Sequence, residues 1–230
     1  MAKAKRGPVG RIISLGFRIA VYFVLLSLLW VGLYAIVPPP TTATMLFDAE
    51  GATREWRPIS KISPNLVRAA IAAEDGKFCE HDGFDREAIE QAIQRNARGG
   101  RIRGGSTISQ QTAKNAFLWQ NGGYFRKGLE AWFTFLIEKI WGKPRIMEIY
   151  LNIAETGIGT YGAEAGAQRY YQKSAEKLTR IEAARIAAAL PLPKKRAVSA
   201  PSGFTRRYGN SIAARINIVK RDGLDRCIYN

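Results

Sequence analysis

An uncharged apolar run from Ile19 to Val37, nineteen residues long, limits this chain more than any other feature. A helix of that length covers about 28 Å, close to the hydrocarbon thickness of a bilayer. Lys3, Lys5, Arg6, Arg11 and Arg18 precede it, and the first acidic residue is Asp48. The positive-inside bias then makes residues 1–18 a cytoplasmic basic tail and residues 19–37 a single transmembrane helix, with everything beyond Pro38 outside the cytoplasm. A cleaved signal peptide is the competing reading, but its apolar region runs only about 7–15 residues and ends in small residues at a cleavage site. Trp30 and Tyr34 near the exit, followed by Pro38-Pro39-Pro40, favour an uncleaved anchor.

Charge narrows the partner. The 230 residues carry 35 basic and 19 acidic side chains, a net +16, and the cations ahead of the span account for only five of these. The exported part is itself cationic, which suits anionic lipid or a lipid-linked phosphate, and its placement argues against nucleic acid. One histidine, His81, and two cysteines, Cys79 and Cys227, are too few for a zinc site of nitrogen and sulfur ligands, so any metal must be held by oxygen. Whether the cysteines pair is open at this level.

Beyond the span, residues 38–62 read as a Pro/Thr-rich linker and a short hairpin, with Thr44–Phe47 and Thr53–Trp56 flanking Asp48-Ala49-Glu50-Gly51. Residues 63–230 read as a mainly α domain. Ser63-Pro64 opens a helix leading to Glu74, Asp85 caps a second, and Thr107 with Gln110 forms a capping box for a third. A long stripe from Phe125 to Trp141 follows, and Pro144 opens the next helix. Thr179 and Glu182 box an alanine-rich helix, and a last one covers about Arg206–Arg221. Three motif matches fail on context. Gly157, Gly159 and Gly162 have dinucleotide-site spacing but follow a helical pattern rather than a strand. Gly99 and Gly104 lack the P-loop lysine, and Ser174 to Lys177 has no Lys-Thr-Gly after it.

Three segments carry chemistry. They are Glu74-Asp75-Gly76-Lys77-Phe78 with His81; Gly104-Gly105-Ser106-Thr107-Ile108-Ser109-Gln110-Gln111 with Lys114-Asn115; and Arg126-Lys127 with Glu130. Two carboxylates, a glycine-rich helix entry and several cations are what glycosyl transfer from a sugar pyrophosphate requires. Glu74 is the candidate base, a role typically worth about 10²–10⁴ in rate when an enclosed site lifts its pKa. The N–H groups at the start of the Thr107 helix, with Lys114, Arg126 and Lys127, are candidates to hold the pyrophosphate. Asp75 reads equally as a helix cap or a partner behind the site, His81 as a positioning residue, and Glu138 equally as an ion-pair or site residue. Lys194-Lys195-Arg196 reads by default as a solvated face, with attraction to lipid headgroups as the alternative.

On these motifs the sequence resembles glycosyltransferase family 51, the peptidoglycan transglycosylases, in the monofunctional form with one span and no transpeptidase domain. The resemblance runs from about Ser63 to Pro193, through Tyr150-Leu151-Asn152, Tyr161-Gly162 to Tyr170, and Glu182-Ala183-Ala184. It implies a lysozyme-like helical fold with a small hydrophobic subdomain dipping into the bilayer, formed here by Phe117, Leu118, Trp119, Tyr124 and Phe125. It also implies Glu74 as general base and Glu130 as second essential carboxylate. Asp75, Phe78, His81, Gly104, Gly105, Ser106, Thr107, Gln110, Gln111, Lys114, Asn115, Arg126 and Lys127 are the implied substrate cleft. The implied reaction polymerises lipid II into glycan strands at the bacterial cytoplasmic membrane with release of undecaprenyl pyrophosphate. No cofactor is obligatory, with Mg²⁺ or Mn²⁺ as an optional aid. The implied partners are lipid II, the growing strand, membrane lipids and other cell-wall synthesis or division proteins. Gly122-Gly123 stands where close relatives carry Arg-Ser, which implies weaker or more metal-dependent activity. A lytic transglycosylase of similar fold, and a non-catalytic membrane scaffold, are the rival readings.

Overall fold

The computed structural model describes residues 8–97 and 105–229 and is mainly helical. Helix α1 (Pro8–Ile36) starts well ahead of Ile19 and carries an 18-residue window of mean hydropathy 2.3. By length and composition it is the one helix among the described residues able to cross a membrane. Its last turns are fastened to the rest of the chain. Helix α6 (Gly123–Ile140) and α7 (Gly142–Ile153) meet it through indole and guanidinium donors. Trp132 Nε1 donates to Ser27 Oγ at 3.1 Å, and Trp141 Nε1 to the Val31 carbonyl at 2.8 Å. Arg145 donates twice to the Tyr34 carbonyl, at 3.1 and 2.8 Å. That carbonyl is among the last four of α1, which no helical N–H can reach, and a cation there also suits the negative end of the helix.

The linker differs from the expected hairpin. Ala43–Leu46 is a short helix, α2, capped by Thr42, whose hydroxyl accepts from Met45 N–H. Strand β1 (Thr53–Arg54) pairs in parallel with β3 (Thr160–Tyr161), which pairs antiparallel with β2 (Glu155–Gly157), in the order β1-β3-β2. The alternation around Thr53 was real, but its hydrogen-bond partner lies a hundred residues away and not across the adjacent turn. Asp48, at that turn, is likewise tied to distant groups. It accepts from Tyr161 Oη at 2.5 Å and Lys194 Nζ at 2.9 Å, and these bonds hold its carboxyl below the usual range.

The helix starts fall where capping chemistry puts them. Helix α3 (Pro64–Glu74) begins at Ser63, whose Oγ accepts from Asn65 N–H. Asp85 accepts from Ala88 N–H at the head of α4 (Arg86–Ala97). Reciprocal capping boxes open α5 (Ile108–Phe117) and α9 (Arg180–Ala189). Helix α7 begins two residues before Pro144, placing that proline in the first turn, where its missing N–H costs nothing. The last helix, α10 (Gly203–Arg221), packs with α3 and α9, while α5, α6 and α7 form the other side of the core.

Helix α8 (Gly162–Tyr171) is buried from Gly162 through Ala167, so its small residues face protein on every side. The glycines around it are packing devices. A Cβ on Gly157 would lie 1.8 Å from Tyr170 Oη, and one on Gly162 would lie 2.7 Å from the Asn152 carbonyl, at a φ of +84°. Gly162→Ala is expected to lower stability by about 2–3 kcal/mol, from left-handed strain plus the displaced backbone, read as a drop in the denaturant midpoint.

Of the five residues expected to form a membrane-dipping patch, the structure divides the set. Phe117 and Leu118 turn inward, Phe117 stacking on Phe133 at 4.6 Å and meeting Trp30 edge-on at 5.3 Å. Trp119, Tyr124 and Phe125 stay exposed, Tyr124 at 98%, alongside exposed Leu46 and Phe47. The aromatic face of α1 accounts for Phe117, because Trp30 and Tyr34 offer it partners that a sequence scan does not anticipate.

Candidate active site

Glu74 is the last residue of α3, and α10 meets the carbonyls just before it. Arg215 Nη1 donates to the Ala72 carbonyl at 2.5 Å and Tyr208 Oη to the Ala73 carbonyl at 2.9 Å. The Glu74 carboxylate accepts one hydrogen bond, from Gln111 Nε2 to Oε2 at 2.9 Å, while Oε1 is buried with no partner among the described residues. Burial raises its pKa above the ordinary glutamate value. The Gln111 bond and the charge of Arg196 pull it back in part, and Asp75 adds a smaller upward push. Gln111 is itself oriented, since Tyr150 Oη donates to its Oε1 at 3.4 Å.

Gln111 and Lys114 are three residues apart on α5 and so share one face. The Lys114 ammonium makes no hydrogen bond or ion pair among the described residues. Burial lowers its pKa, and Glu130 is the acidic group that opposes this. Glu130 is 3% exposed and receives Arg126 Nη1 at 2.7 Å on one oxygen and Lys127 Nζ on the other. Lys127 also reaches Ser106 Oγ at 3.4 Å. One face of α5 thus joins an unpaired carboxylate, at Glu74, to a carboxylate surrounded by three cations, at Glu130. The two carboxylates differ in what compensates them, which is the arrangement expected of groups with different roles.

Several of the expected substrate-contact residues have partners within the protein. Asp75 accepts from Ile108 N–H at 2.9 Å, so a carboxylate of the protein already occupies the start of α5 where a pyrophosphate was expected. Gln110 N–H is likewise taken by Thr107 Oγ1, and Thr107 N–H by Gln110 Oε1. His81 donates from Nε2 to Asp75 at 2.9 Å and accepts from Gly83 N–H at Nδ1, which fixes its tautomer as a brace for Asp75. Phe78 is fully buried, with Lys143 Nζ 4.6 Å above its ring. Glu138 accepts from Ser109 Oγ and Lys143 Nζ, at 2.5 and 2.8 Å, an internal ion pair. Asn115 Oδ1 accepts from Gln120 at 3.3 Å. Gly105 and Ser106 lie just ahead of α5, and Gly104 lies outside the described residues.

The sequence assigns three side chains around Glu74 no part in its site, Tyr150 standing there only as a motif residue. Tyr150, Tyr208 and Arg196 come from three different elements, and no local spacing connects them to it. Arg196 had been read as part of a solvated basic run. It lies 5.2 Å from the Phe204 ring and 5.7 Å from that of Tyr208, and donates to the Ala188 carbonyl at 2.7 Å. Lys194 of the same run pairs with Asp48. A concavity of about 630 Å³ opens beside His81, bounded by Lys77, Glu80, Asp85 and Arg86, and neither Glu74 nor Glu130 lines it. Among the described residues no group of three or more histidine, cysteine or acidic side chains converges as a metal site, and both Glu130 oxygens are occupied by cations. The side chains present therefore do not fit a protein-held divalent ion there.

Comparison with known proteins bears on this arrangement. Residues 41–217 match the transglycosylase family model. The chain is 55% identical over 199 residues to the biosynthetic peptidoglycan transglycosylase of Caulobacter vibrioides, covering 85% of this chain and 87% of that protein. It is 47% identical over 220 residues to the protein of the same name from Rhodospirillum centenum, covering 93% and 95%. The Pseudomonas syringae pv. syringae protein, again of that name, is 48% identical over 195 residues, 81% of this chain and 83% of its own. With most of its length matched, and with the motif-bearing segments inside that match, the chain belongs to the transglycosylase family.

Proposed function

We propose that this chain is a biosynthetic peptidoglycan transglycosylase that polymerises lipid II into glycan strands on the outer face of a bacterial cytoplasmic membrane. The observation that carries the reading is the asymmetry along α5. Among the described residues Glu74 Oε1 is buried without a partner, while Arg126 and Lys127 pair with Glu130 and Lys114 lies within reach of its charge. In this reading Glu74 Oε1 takes the proton from the 4-hydroxyl of the acceptor N-acetylglucosamine. The freed oxygen attacks the anomeric carbon of the strand's N-acetylmuramic acid, and undecaprenyl pyrophosphate departs from the opposite face, inverting that carbon. The cationic surplus around Glu130 receives the charge that grows on the leaving group. Lys114, whose ammonium has no partner among the described residues, is the cation proposed to contact it.

Helix α1 is the proposed membrane span, with the basic tail on the cytoplasmic side. The Cys79–Cys227 disulfide supports that orientation, because such bonds persist in oxidising space beyond the cytoplasm. Holding enzyme and lipid substrate on one surface raises their effective concentration without any further contact.

The test supplies the intact protein first with purified lipid II and then with isolated sacculi. Polymer from lipid II and no soluble fragments from sacculi is the expected result. Fragments from sacculi without polymer would establish the lytic rival, and inactivity on both would favour a scaffold. The pH profile gives a second check. The acid limb of kcat/KM should lie above the ordinary glutamate range because burial disfavours the charged base. Gln111→Leu should move that limb further up, since it removes the hydrogen bond that favours ionised Glu74.

A further inference from the structure

The segment after α10 lies outside the family match, which ends at residue 217, yet it grips the element that carries Glu74. Asp225 is 5% exposed and accepts from Arg68 Nε on α3 at 2.7 Å, and the Arg68 guanidinium sits 5.5 Å from the Tyr229 ring. Two residues from Asp225, Cys227 forms the disulfide to Cys79, and its N–H donates to Cys79 Sγ at 3.3 Å. Cys79 lies five residues after Glu74, in the loop from Asp75 to Gly83. That loop is held on its other side by α5 and α7, through Ile108 N–H on Asp75, Thr107 Oγ1 on the Gly83 carbonyl, and Lys143 Nζ on the His81 carbonyl. Toward α10 the disulfide is the strong tie. Grips at Arg68, at the Ala72 and Ala73 carbonyls and at Cys79 therefore bracket Glu74 from both sides in sequence.

We propose that the segment Leu224–Tyr229 is an oxidation-dependent clasp that holds the Glu74 end of α3 in its working position. Cys79, Cys227, Arg68 and Asp225 are its positioning residues. The proposal rests on Glu74 as the base, and it makes activity depend on an intact disulfide. A dithiol reductant opens the clasp by giving two electrons and two protons to the Cys79–Cys227 bond. Two thiols remain on the protein, and the reductant leaves as a cyclic disulfide. The loop then keeps its α5 and α7 contacts but loses its covalent tie to the C-terminal segment. Glu74 drifts relative to Gln111 while the cations around Glu130 stay in place.

The experiment uses the full chain in lipid-containing micelles, oxidised and after dithiothreitol, together with the C79S/C227S double variant. Reduction should lower kcat for lipid II polymerisation about tenfold, the scale of a sub-ångström misplacement, with KM changed by less than about twofold. The double variant should match the reduced protein and be insensitive to dithiothreitol. Reoxidation with glutathione disulfide should restore the wild type alone. Amide exchange should accelerate in residues 75–83 and leave α5 and α7 unchanged. Full kcat in the reduced protein with unaltered exchange would overturn the clasp, as would acceleration spread equally over α5 and α7. If the oxidised wild type makes no polymer, the base assignment has failed, and the exchange measurements still decide the clasp.

Discussion

Glu74→Gln should lower polymerisation by about 10²–10⁴ while leaving the protein at least as stable as the wild type. The two halves have one cause. Glu74 is buried with one oxygen unpaired, so its folded pKa is raised and the folded state holds its proton more tightly than the unfolded chain does. Stability from this group is therefore present at low pH and is lost as pH rises from the ordinary glutamate value through the raised one. At neutral pH the charge is a net cost, and glutamine removes it while keeping the shape and a carbonyl oxygen for the Gln111 amide. Thermal melts at neutral pH, paired with lipid II turnover, read both effects. A variant that loses activity and melts earlier would mark Glu74 as a structural residue.

Glu130→Gln should behave oppositely in stability. Its carboxylate is the common counter-charge for Arg126 and Lys127 and the nearby acid for Lys114, so its removal leaves three cations crowded without compensation. Breaking a buried ion pair from one side costs about 3–5 kcal/mol, and because Lys127 is half-exposed the lower end, about 3 kcal/mol, is expected here. For a domain of this size that corresponds to a melting temperature lower by about 6–12 °C. Polymerisation should fall by about 10² as well, because Lys114 and Arg126 are no longer fixed where the leaving group forms. The pair of variants separates the roles of the two carboxylates, since the loss of one relieves the fold and the loss of the other strains it.

Local chemistry was legible in the sequence and distant chemistry was not. Ser63, the Thr107–Gln110 box and the Thr179–Glu182 box each act within three residues, so reading them required no knowledge of the fold. The segment Thr44–Phe47 looked like one arm of a hairpin because alternation says nothing about which strand will pair with it, and β1 found β3 instead. The start of α5 looked like an anion site, but Asp75, 33 residues earlier in the chain, fills it. Helix α8 was not legible as a helix because its buried residues are Gly, Ala and Glu rather than large apolar side chains. Arg196 was read as solvated because a basic run usually is, whereas Phe204 and Tyr208 supply the aromatic faces that hold it beside Glu74. The resemblance identified the carboxylates and cations. The structure adds which of them already have partners within the protein: Asp75 and His81 are bonded in holding the loop, and Glu74 Oε1 has no partner among the described residues.

The four bonds from Trp132, Trp141 and Arg145 to the last turns of α1 have a consequence for movement. With α1 as the proposed span, there is no swivel between the buried rod and the groove above it. The height of Glu74 over the lipid plane is then set by which turn of the rod those donors grasp. On the proposed function such a machine works as a fixed station: it drifts sideways and spins about the membrane normal, and the lengthening sugar chain slides through it.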